Sequence, residues 1–273
     1  VQPNTGLKYM IITSIQDYLP FPKNVLYPLI VKKDGLKRDV MYGGRVFSLN
    51  EALASSEAVP LVEEVDAERE IALLQYTGGT TGTPKGAMLT HYNLTANTLQ
   101  AKVWCYRSKP GQERYLAALP FFHVFGLTAL MNLSVVMGGM LILVPKFNPG
   151  EILKVIAKEK PTAFPGAPTM YVALLNHPRA QAYDLGSINL CISGAAPLPV
   201  EVQEQFERVT GGRLIEGYGL TEASPVTHVN NIWELRKKGS IGIPVPDTIA
   251  RVVDPETGEE LPPGEIGELT IEG

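Results

Sequence analysis

Cysteine is scarce in this chain: Cys105 and Cys191 are the only two among 273 residues. Two thiols that far apart exclude a disulfide scaffold and read as reduced residues of a cytosolic protein. They and the four histidines show no metal-ligand spacing, which excludes a zinc-type centre. Charge is also sparse, at 19% of residues with a net of −4, so the bulk attraction that nucleic-acid partners need is missing. Internal repeats and low-complexity tracts are absent. Residues 124–144 carry no charge and are long enough to cross a bilayer. Gly138-Gly139 interrupts them, however, and Thr128, Asn132 and Ser134 dilute them. They read as a helix, a Gly-Gly turn and a short buried strand, Met140 to Val144. No basic-then-apolar leader precedes Gly6, and Gly267 to Gly273 reads as a strand, so both ends are expected to be cut.

What the chain does have is Tyr76-Thr-Gly-Gly-Thr-Thr-Gly-Thr-Pro-Lys-Gly86, directly after the apolar run Ile71 to Gln75. Glycines let successive backbone N–H groups turn inward on an anion. Threonine hydroxyls add donors and Lys85 adds a compact positive charge. The chemistry this suits is gripping a polyphosphate. A Walker loop places its lysine directly after the last glycine and before Ser or Thr. Here Pro84 intervenes and Gly86 follows, which disfavours ordinary P-loop phosphotransferases. Taken alone the stretch is equally a flexible Gly/Thr hairpin.

Elements alternate along the chain. Tyr9 to Thr13, Ala72 to Tyr76, Ala87 to Thr90, Tyr115 to Leu119, Ile188 to Ile192 and Leu214 to Glu216 read as strands. Ser48 and Glu51 form a capping box opening a short helix. His91 to Tyr106 is a helix with Leu94, Thr98, Ala101 and Cys105 on one side. Asn148-Pro-Gly-Glu151 starts another, with Ile152, Val155 and Ile156 as its stripe. Pro199 opens a helix carrying Val202, Phe206 and Val209, which Gly211-Gly212 closes. Such alternation predicts an α/β fold of layered, parallel-type sheets covered by helices. After about Asn230 short strands and turns take over, with Asp254-Pro-Glu-Thr-Gly258 as a hairpin turn. The expected organisation is therefore an α/β part over residues 1–230 and the beginning of a β-rich subdomain over residues 231–273.

Four further segments lie near predicted strand ends, where α/β ligand sites gather. Leu119-Pro-Phe-Phe-His-Val-Phe-Gly126 sets His123 among aromatics; by itself that reads as a core histidine with one hydrogen bond. Ser193-Gly-Ala-Ala-Pro197 lets a flat ring approach the backbone, or is a tight turn. Glu216-Gly-Tyr-Gly-Leu-Thr-Glu222 is read as a Gly-rich turn offering an aromatic face, a hydroxyl and a hard oxygen ligand. Gly239-Ser-Ile-Gly-Ile-Pro244 is a pocket wall or a turn.

In order and spacing these segments resemble the adenylate-forming ligase superfamily, which contains acyl-CoA synthetases, firefly-type luciferases and peptide-synthetase adenylation domains. The Gly/Thr loop is similar to that family's phosphate loop and Gly217-Tyr-Gly-Leu-Thr-Glu222 to its second signature; Gly264-Glu-Ile-Gly-Glu-Leu269 looks like a third. The resemblance runs through nearly the whole chain. Gly78, Asp17 to Pro22 and Phe164 to Tyr171 resemble the bacterial long-chain fatty acid–CoA ligases within it. An apolar acyl channel is plausible beside Phe121, Phe122, Val124 and Phe125, since each buried methylene contributes roughly 0.8 kcal/mol.

The resemblance implies a chemistry in two steps, with ATP, fatty acid and coenzyme A as substrates and Mg²⁺ as cofactor. Fatty carboxylate and ATP give acyl-adenylate and pyrophosphate; coenzyme A then displaces AMP. Thr77, Gly78, Gly79, Thr80, Thr81, Gly82 and Lys85 would hold the β- and γ-phosphates. Gly194, Ala195 and Ala196 would flank the adenine, with Glu216, Gly217, Tyr218 and Gly219 around its base and ring face. Thr221 would contact the α-phosphate, Glu222 would bind Mg²⁺, and His123 would lie by the carboxylate. The family's ribose-binding aspartate and the small C-terminal domain with its adenylation lysine are not within these residues, so this piece is expected to be inactive alone. The implied setting is cytoplasmic, with peripheral membrane contact and a homodimer left open. An aryl- or amino-acid-adenylating ligase and a non-catalytic nucleotide-binding module are the competing readings.

Overall fold

A computed structural model describes residues 6–33, 40–60, 62–77 and 83–273. They fall into two compact units, Val1–Glu64 and Val65–Gly273.

In the first unit, β1 (Met10–Ile12) leads through a 3-10 turn to α1 (Lys23–Lys33). Then β2 (Val46–Ser48) runs into α2 (Leu49–Ser55). β1 and β2 pair in parallel, Met10 against Val46 and Ile12 against Ser48. Ser48 is the N-cap of α2, as its sequence suggests, but the expected capping box does not form, because its hydroxyl makes no capping bond. Its backbone is committed to the ladder with Ile12.

The second unit opens with an antiparallel pair, β3 (Ile71–Thr77) and β4 (Lys85–Thr90), with Thr77 opposite Lys85. The residues between them, 78–82, lie outside the described residues. α3 (His91–Trp104) follows directly. Its N-terminus is closed by a reciprocal pair: Asn93 N–H donates to Thr90 Oγ1 at 3.2 Å and Thr90 N–H to Asn93 Oδ1 at 3.0 Å. Such a pair satisfies two of the donors a helix start leaves unpaired. β5 (Arg114–Ala117) comes next, then α4 (Val124–Gly126), a π-helical segment Leu127–Asn132 and α5 (Leu133–Val136). Gly138, at φ +59°, turns the chain into β6 (Met140–Leu143). The helix, Gly-Gly turn and strand expected over residues 124–144 are thus present. No helix among the described residues is long and apolar enough to cross a membrane. β6 is less buried than its sequence suggests, with Met140 52% and Leu143 65% exposed. It pairs only with β5 among the described residues, so its outer side gains no cover from a neighbour.

α6 (Pro149–Glu159) begins as Asn-Pro-Gly-Glu dictates, Asn148 Oδ1 accepting from Glu151 N–H at 3.1 Å. Then come α7 (Pro168–Leu175), β7 (Leu190–Ser193), α8 (Val200–Thr210), β8 (Arg213–Gly219) and β9 (Val226–Val229). Gly211 caps α8 at φ +73°, a left-handed position that favours glycine. β10 (Ile243–Pro244), β11 (Ile249–Val253) and β12 (Glu268–Glu272) complete the chain. β11 and β12 are antiparallel, and Asp254 Oδ1 gathers the N–H groups of Glu256 and Thr257 at the turn after β11.

β5–β6 and β7–β8 are parallel pairs. Ala163 bridges them, parallel both to Tyr115 of β5 and to Leu190 of β7. β9 and β10 extend the sheet antiparallel from β8. Because strand side chains alternate, the sheet feeds two cores. Leu116, Phe164, Cys191 and Leu214 face α6, α7 and α8 through Ile152, Ile156, Tyr171 and Phe206. Tyr115, Ala117, Ala163, Leu190 and Ile215 face the other way, onto Leu130, Leu133 and Cys105. Tyr171 stands edge-on to Phe164 and Phe206, centroids 5.4 and 5.0 Å apart, and its hydroxyl donates to Phe164 O at 2.8 Å. Burial, with the Glu113 carboxylate nearby, pushes the Cys105 thiol up to about 12. Burial likewise raises Cys191, so both thiols stay protonated and unreactive.

Phe206 is 1% exposed at the centre of the first core. Phe206→Ala is expected to destabilise the fold by about 3–5 kcal/mol, read as a lower denaturant midpoint at unchanged m-value.

Candidate active site

The carboxyl ends of β7 and β8 open onto a cavity of about 480 Å³. Gly194 and Ala195 enter it from the turn after β7, and Gly217, Tyr218 and Gly219 from β8. Thr221 and Glu222 enter from the turn after β8, Thr77 from the end of β3, and His123 from the start of α4. Much of its remaining wall is apolar, built from Ala101 and Trp104 of α3, Ala129, Leu133, Val226 and Val229, with Gln75 and Tyr76 of β3 adding polar groups.

Local chemistry explains each placement. The Ser193-to-Pro197 turn passes through Ala195 at φ +69°, a left-handed conformation that costs a non-glycine residue energy and is concentrated at functional sites. Gly194 must stay small, since a Cβ there would meet the Phe125 ring at 3.1 Å. The Gly-rich turn expected at Glu216 to Glu222 is instead strand as far as Gly219. β8 continues because Tyr218 pairs with His228 and Gly219 with Val226 of β9. The turn proper is the 3-10 segment Thr221–Ala223, closed by Ser224 at φ +76°. Gly219 permits that tight return, because a Cβ there would stand 2.0 Å from Pro225 O.

Tyr218 presents its ring beside His228, centroids 6.2 Å apart at 65°. Burial lowers the His228 pKa, which favours its neutral ring; Nδ1 lies 3.0 Å from Thr227 Oγ1. His123 is not a core histidine: it is exposed, and its Nδ1 accepts from Phe125 N–H at 3.2 Å as the N-cap of α4. That bond fixes the ring orientation and leaves Nε2 free of its own helix. The Thr77 hydroxyl donates to Lys85 O at 3.3 Å, tying the two ends of the β3–β4 connection. Lys85 is exposed and does not line the cavity, although β4 packs beside the Thr221–Ala223 turn. Glu216 and Ala196 also stand outside the lining. Gly78, Gly79, Thr80, Thr81 and Gly82 lie outside the described residues.

The acyl-channel reading of the aromatic segment needs correction. Val124 and Phe125 line the cavity, but Phe122 is 82% exposed and Phe121 packs against the second core. The wall that sequence reasoning missed comes mostly from α3, α5 and β9. Ala101 and Trp104 sit three residues apart on α3, a spacing that puts them on one helix face. Pairing that face with β9 needed tertiary information. Trp104 Nε1–H donates to Asn230 O at 3.0 Å, which sets the indole across the cavity.

Among the described residues no group of three or more His, Cys, Asp and Glu could hold a metal ion. Glu222 is exposed at the cavity and has no hydrogen-bond or ion-pair partner among the described residues. A single free carboxylate fits Mg²⁺, which takes one or two carboxylates and fills its octahedron with phosphate oxygens and waters.

Burial raises the Glu216 pKa above its usual value, opposed by an N–H from Leu198. The folded state therefore holds this proton more tightly than the unfolded chain, and stability falls as pH rises from the unfolded to the folded pKa. Glu216→Gln removes that loss. Its melting temperature is expected to match wild type near pH 4 and to exceed it at pH 7 in differential scanning calorimetry.

The AMP-binding enzyme family matches residues 10–273. A long-chain-fatty-acid–CoA ligase of Bacillus subtilis is 53% identical over 265 residues, covering 97% of this chain and 47% of that protein. The ligase of the same name from Escherichia coli O6:H1 is 38% identical, covering 100% of this chain and 49% of its own length. The chain thus spans about half the length of the curated relatives it matches. Among solved structures, a long-chain-fatty-acid–CoA ligase from Archaeoglobus fulgidus superposes with a TM-score of 0.77 at 30% identity, over 97% of this chain and 53% of that one. ATP-bound MatB from Rhodopseudomonas palustris gives 0.74 at 34% identity, over 92% and 49%.

Proposed function

The chain belongs to the AMP-binding enzyme family, and from that premise we propose that the full-length protein joins a long-chain fatty acid to coenzyme A at the expense of ATP. The observation that carries this reading is one cavity combining two different surfaces. Thr77, Thr221 and Glu222 bring it polar groups, and Ala101, Trp104, Ala129, Leu133, Val226 and Val229 give it an apolar wall. A nucleotide phosphate suits the first and a hydrocarbon chain the second.

In the first half-reaction a carboxylate oxygen of the fatty acid attacks the α-phosphorus of ATP, and the bond to the β-phosphate oxygen breaks. Acyl-adenylate and pyrophosphate result. In the second, the coenzyme A thiolate attacks the acyl carbonyl and AMP leaves. Positioning and charge neutralisation carry such chemistry, with no protein nucleophile. Thr77, Lys85 and the intervening glycines and threonines hold the terminal phosphates. Gly194, Ala195 and Ala196 flank the adenine, with Glu216, Gly217, Tyr218 and Gly219 about its edge and ring face. Thr221 donates to the α-phosphate, and His123 holds the reacting carboxylate. Mg²⁺ bound at Glu222 would neutralise phosphate charge. The β11–β12 pair is assigned to the start of a β-rich subdomain over residues 231–273, and peripheral membrane contact would give access to the fatty acid.

Pyrophosphate exchange into ATP by the full-length protein, across fatty, aryl and amino acids, tests the reading. Long-chain fatty acids should support exchange best; a preference for an aryl or amino acid, or no exchange, overturns it. Glu222→Gln is expected to lower kcat by about 10²–10³-fold, and Lys85→Met to raise the KM for ATP while leaving that for fatty acid in place.

A further inference from the structure

Strand β9 begins where its outer neighbour has run out. β10 pairs with Val229 and His228, and Val245 N–H reaches Thr227 O at 2.9 Å. Among the described residues Val226 has no strand on that side. Both its backbone groups are taken instead by Asn97 of α3: Val226 N–H donates to Oδ1 at 3.0 Å, and its carbonyl accepts from Nδ2 at 2.7 Å. The second amide hydrogen of Nδ2 goes to Gln100 Oε1 at 2.9 Å. One carboxamide thus stands in for the peptide group of an absent strand. Asn97 is 3% exposed, so both atoms depend on these partners.

Two residues away the pattern repeats. Thr128, in the π-helical segment and fully buried, donates Oγ1–H to Ser224 O at 3.1 Å. Ser224 closes the turn, its N–H donating to Thr221 O at 3.3 Å. Asn97 and Thr128 therefore fasten the backbone on either side of Pro225, directly behind the turn that presents Thr221 and Glu222. Neither lines the cavity. Helix and strand could pack through apolar residues here, and these two polar side chains are satisfied only while the turn stays in place.

We propose that Asn97 and Thr128 are positioning residues for acyl activation: they hold the Thr221–Ala223 turn so that Thr221 and Glu222 meet the triphosphate. This rests on the function proposed above. A displaced turn would weaken the α-phosphate contact of bound AMP without lowering the number of AMP sites, and would lose rate in the chemical step, since small misplacements cost large factors in rate.

The test uses the full-length protein and whichever carboxylate supports exchange best, so an error in substrate class cannot mimic a failure of this inference. Calorimetric AMP titration supplies the fraction of intact sites. Asn97→Asp keeps the volume and the acceptor but removes the donor to Val226 O. Among the described residues Gln100 is the only other side chain bonded to Asn97, and it carries no charge. A buried carboxyl keeps its proton to higher pH than usual. At pH 8 the variant is expected to lose about tenfold in kcat and to recover toward wild type at pH 6, where the protonated carboxyl again donates. Each rate is divided by that of wild type at the same pH. Thr128→Val is expected to lose a similar factor with the KM for the carboxylate substrate unchanged, and Thr128→Ser to restore it. A kcat within twofold of wild type for Thr128→Val overturns the inference, as does a loss that tracks AMP-binding stoichiometry. If Asn97→Asp does not fold, the Thr128 pair decides alone.

Discussion

Residues 163–166 turn two separate strand pairs into one sheet. Leu116 N–H donates to Ala163 O at 2.9 Å, Phe164 N–H to Leu190 O at 2.9 Å and Gly166 N–H to Ile192 O at 3.0 Å. Without this thin connecting ribbon β5–β6 and β7–β8 share no ladder, and neither core has a continuous floor. The ribbon also reaches the site directly. Gly194 N–H donates to Gly166 O at 3.2 Å, fixing where the chain leaves β7 and hence where Gly194 and Ala195 stand. Cavity geometry here begins as sheet geometry.

Much of the scaffold was legible before any coordinates. Period-two and period-3.6 patterns placed β3, β4, α3, α6 and α8 within a few residues, and Asn148 and Gly211 act at their helix ends as their chemistry demands. The misses have physical causes. The connecting ribbon is too short to carry a strand pattern. Ser48 offers a capping hydroxyl that the neighbouring ladder leaves unused. The glycines of Gly217-Tyr-Gly219 read as a turn, yet they serve close approach within a hairpin rather than chain reversal.

At the site, legibility followed the same division. Residues that line the cavity through backbone shape, such as Gly194, Gly217 and Gly219, stand in short motifs a reader can find. The apolar wall does not, because Ala101, Leu133 and Val229 are ordinary core residues until three distant elements meet. Asn97 was invisible for a related reason. A buried asparagine on an amphipathic helix declares nothing until its carboxamide is seen closing the edge of a strand 129 residues away.

The chain contains two tryptophans, and their surroundings differ sharply. Trp104 forms part of the cavity wall with its indole N–H bonded to a carbonyl. Trp233 lies under the Arg107 guanidinium, 5.3 Å from its ring centroid, away from that cavity. Emission from the first is therefore placed to report occupancy of the cavity, with the second as background; replacing Trp233 with phenylalanine would isolate that signal and let ligand entry be followed without any label.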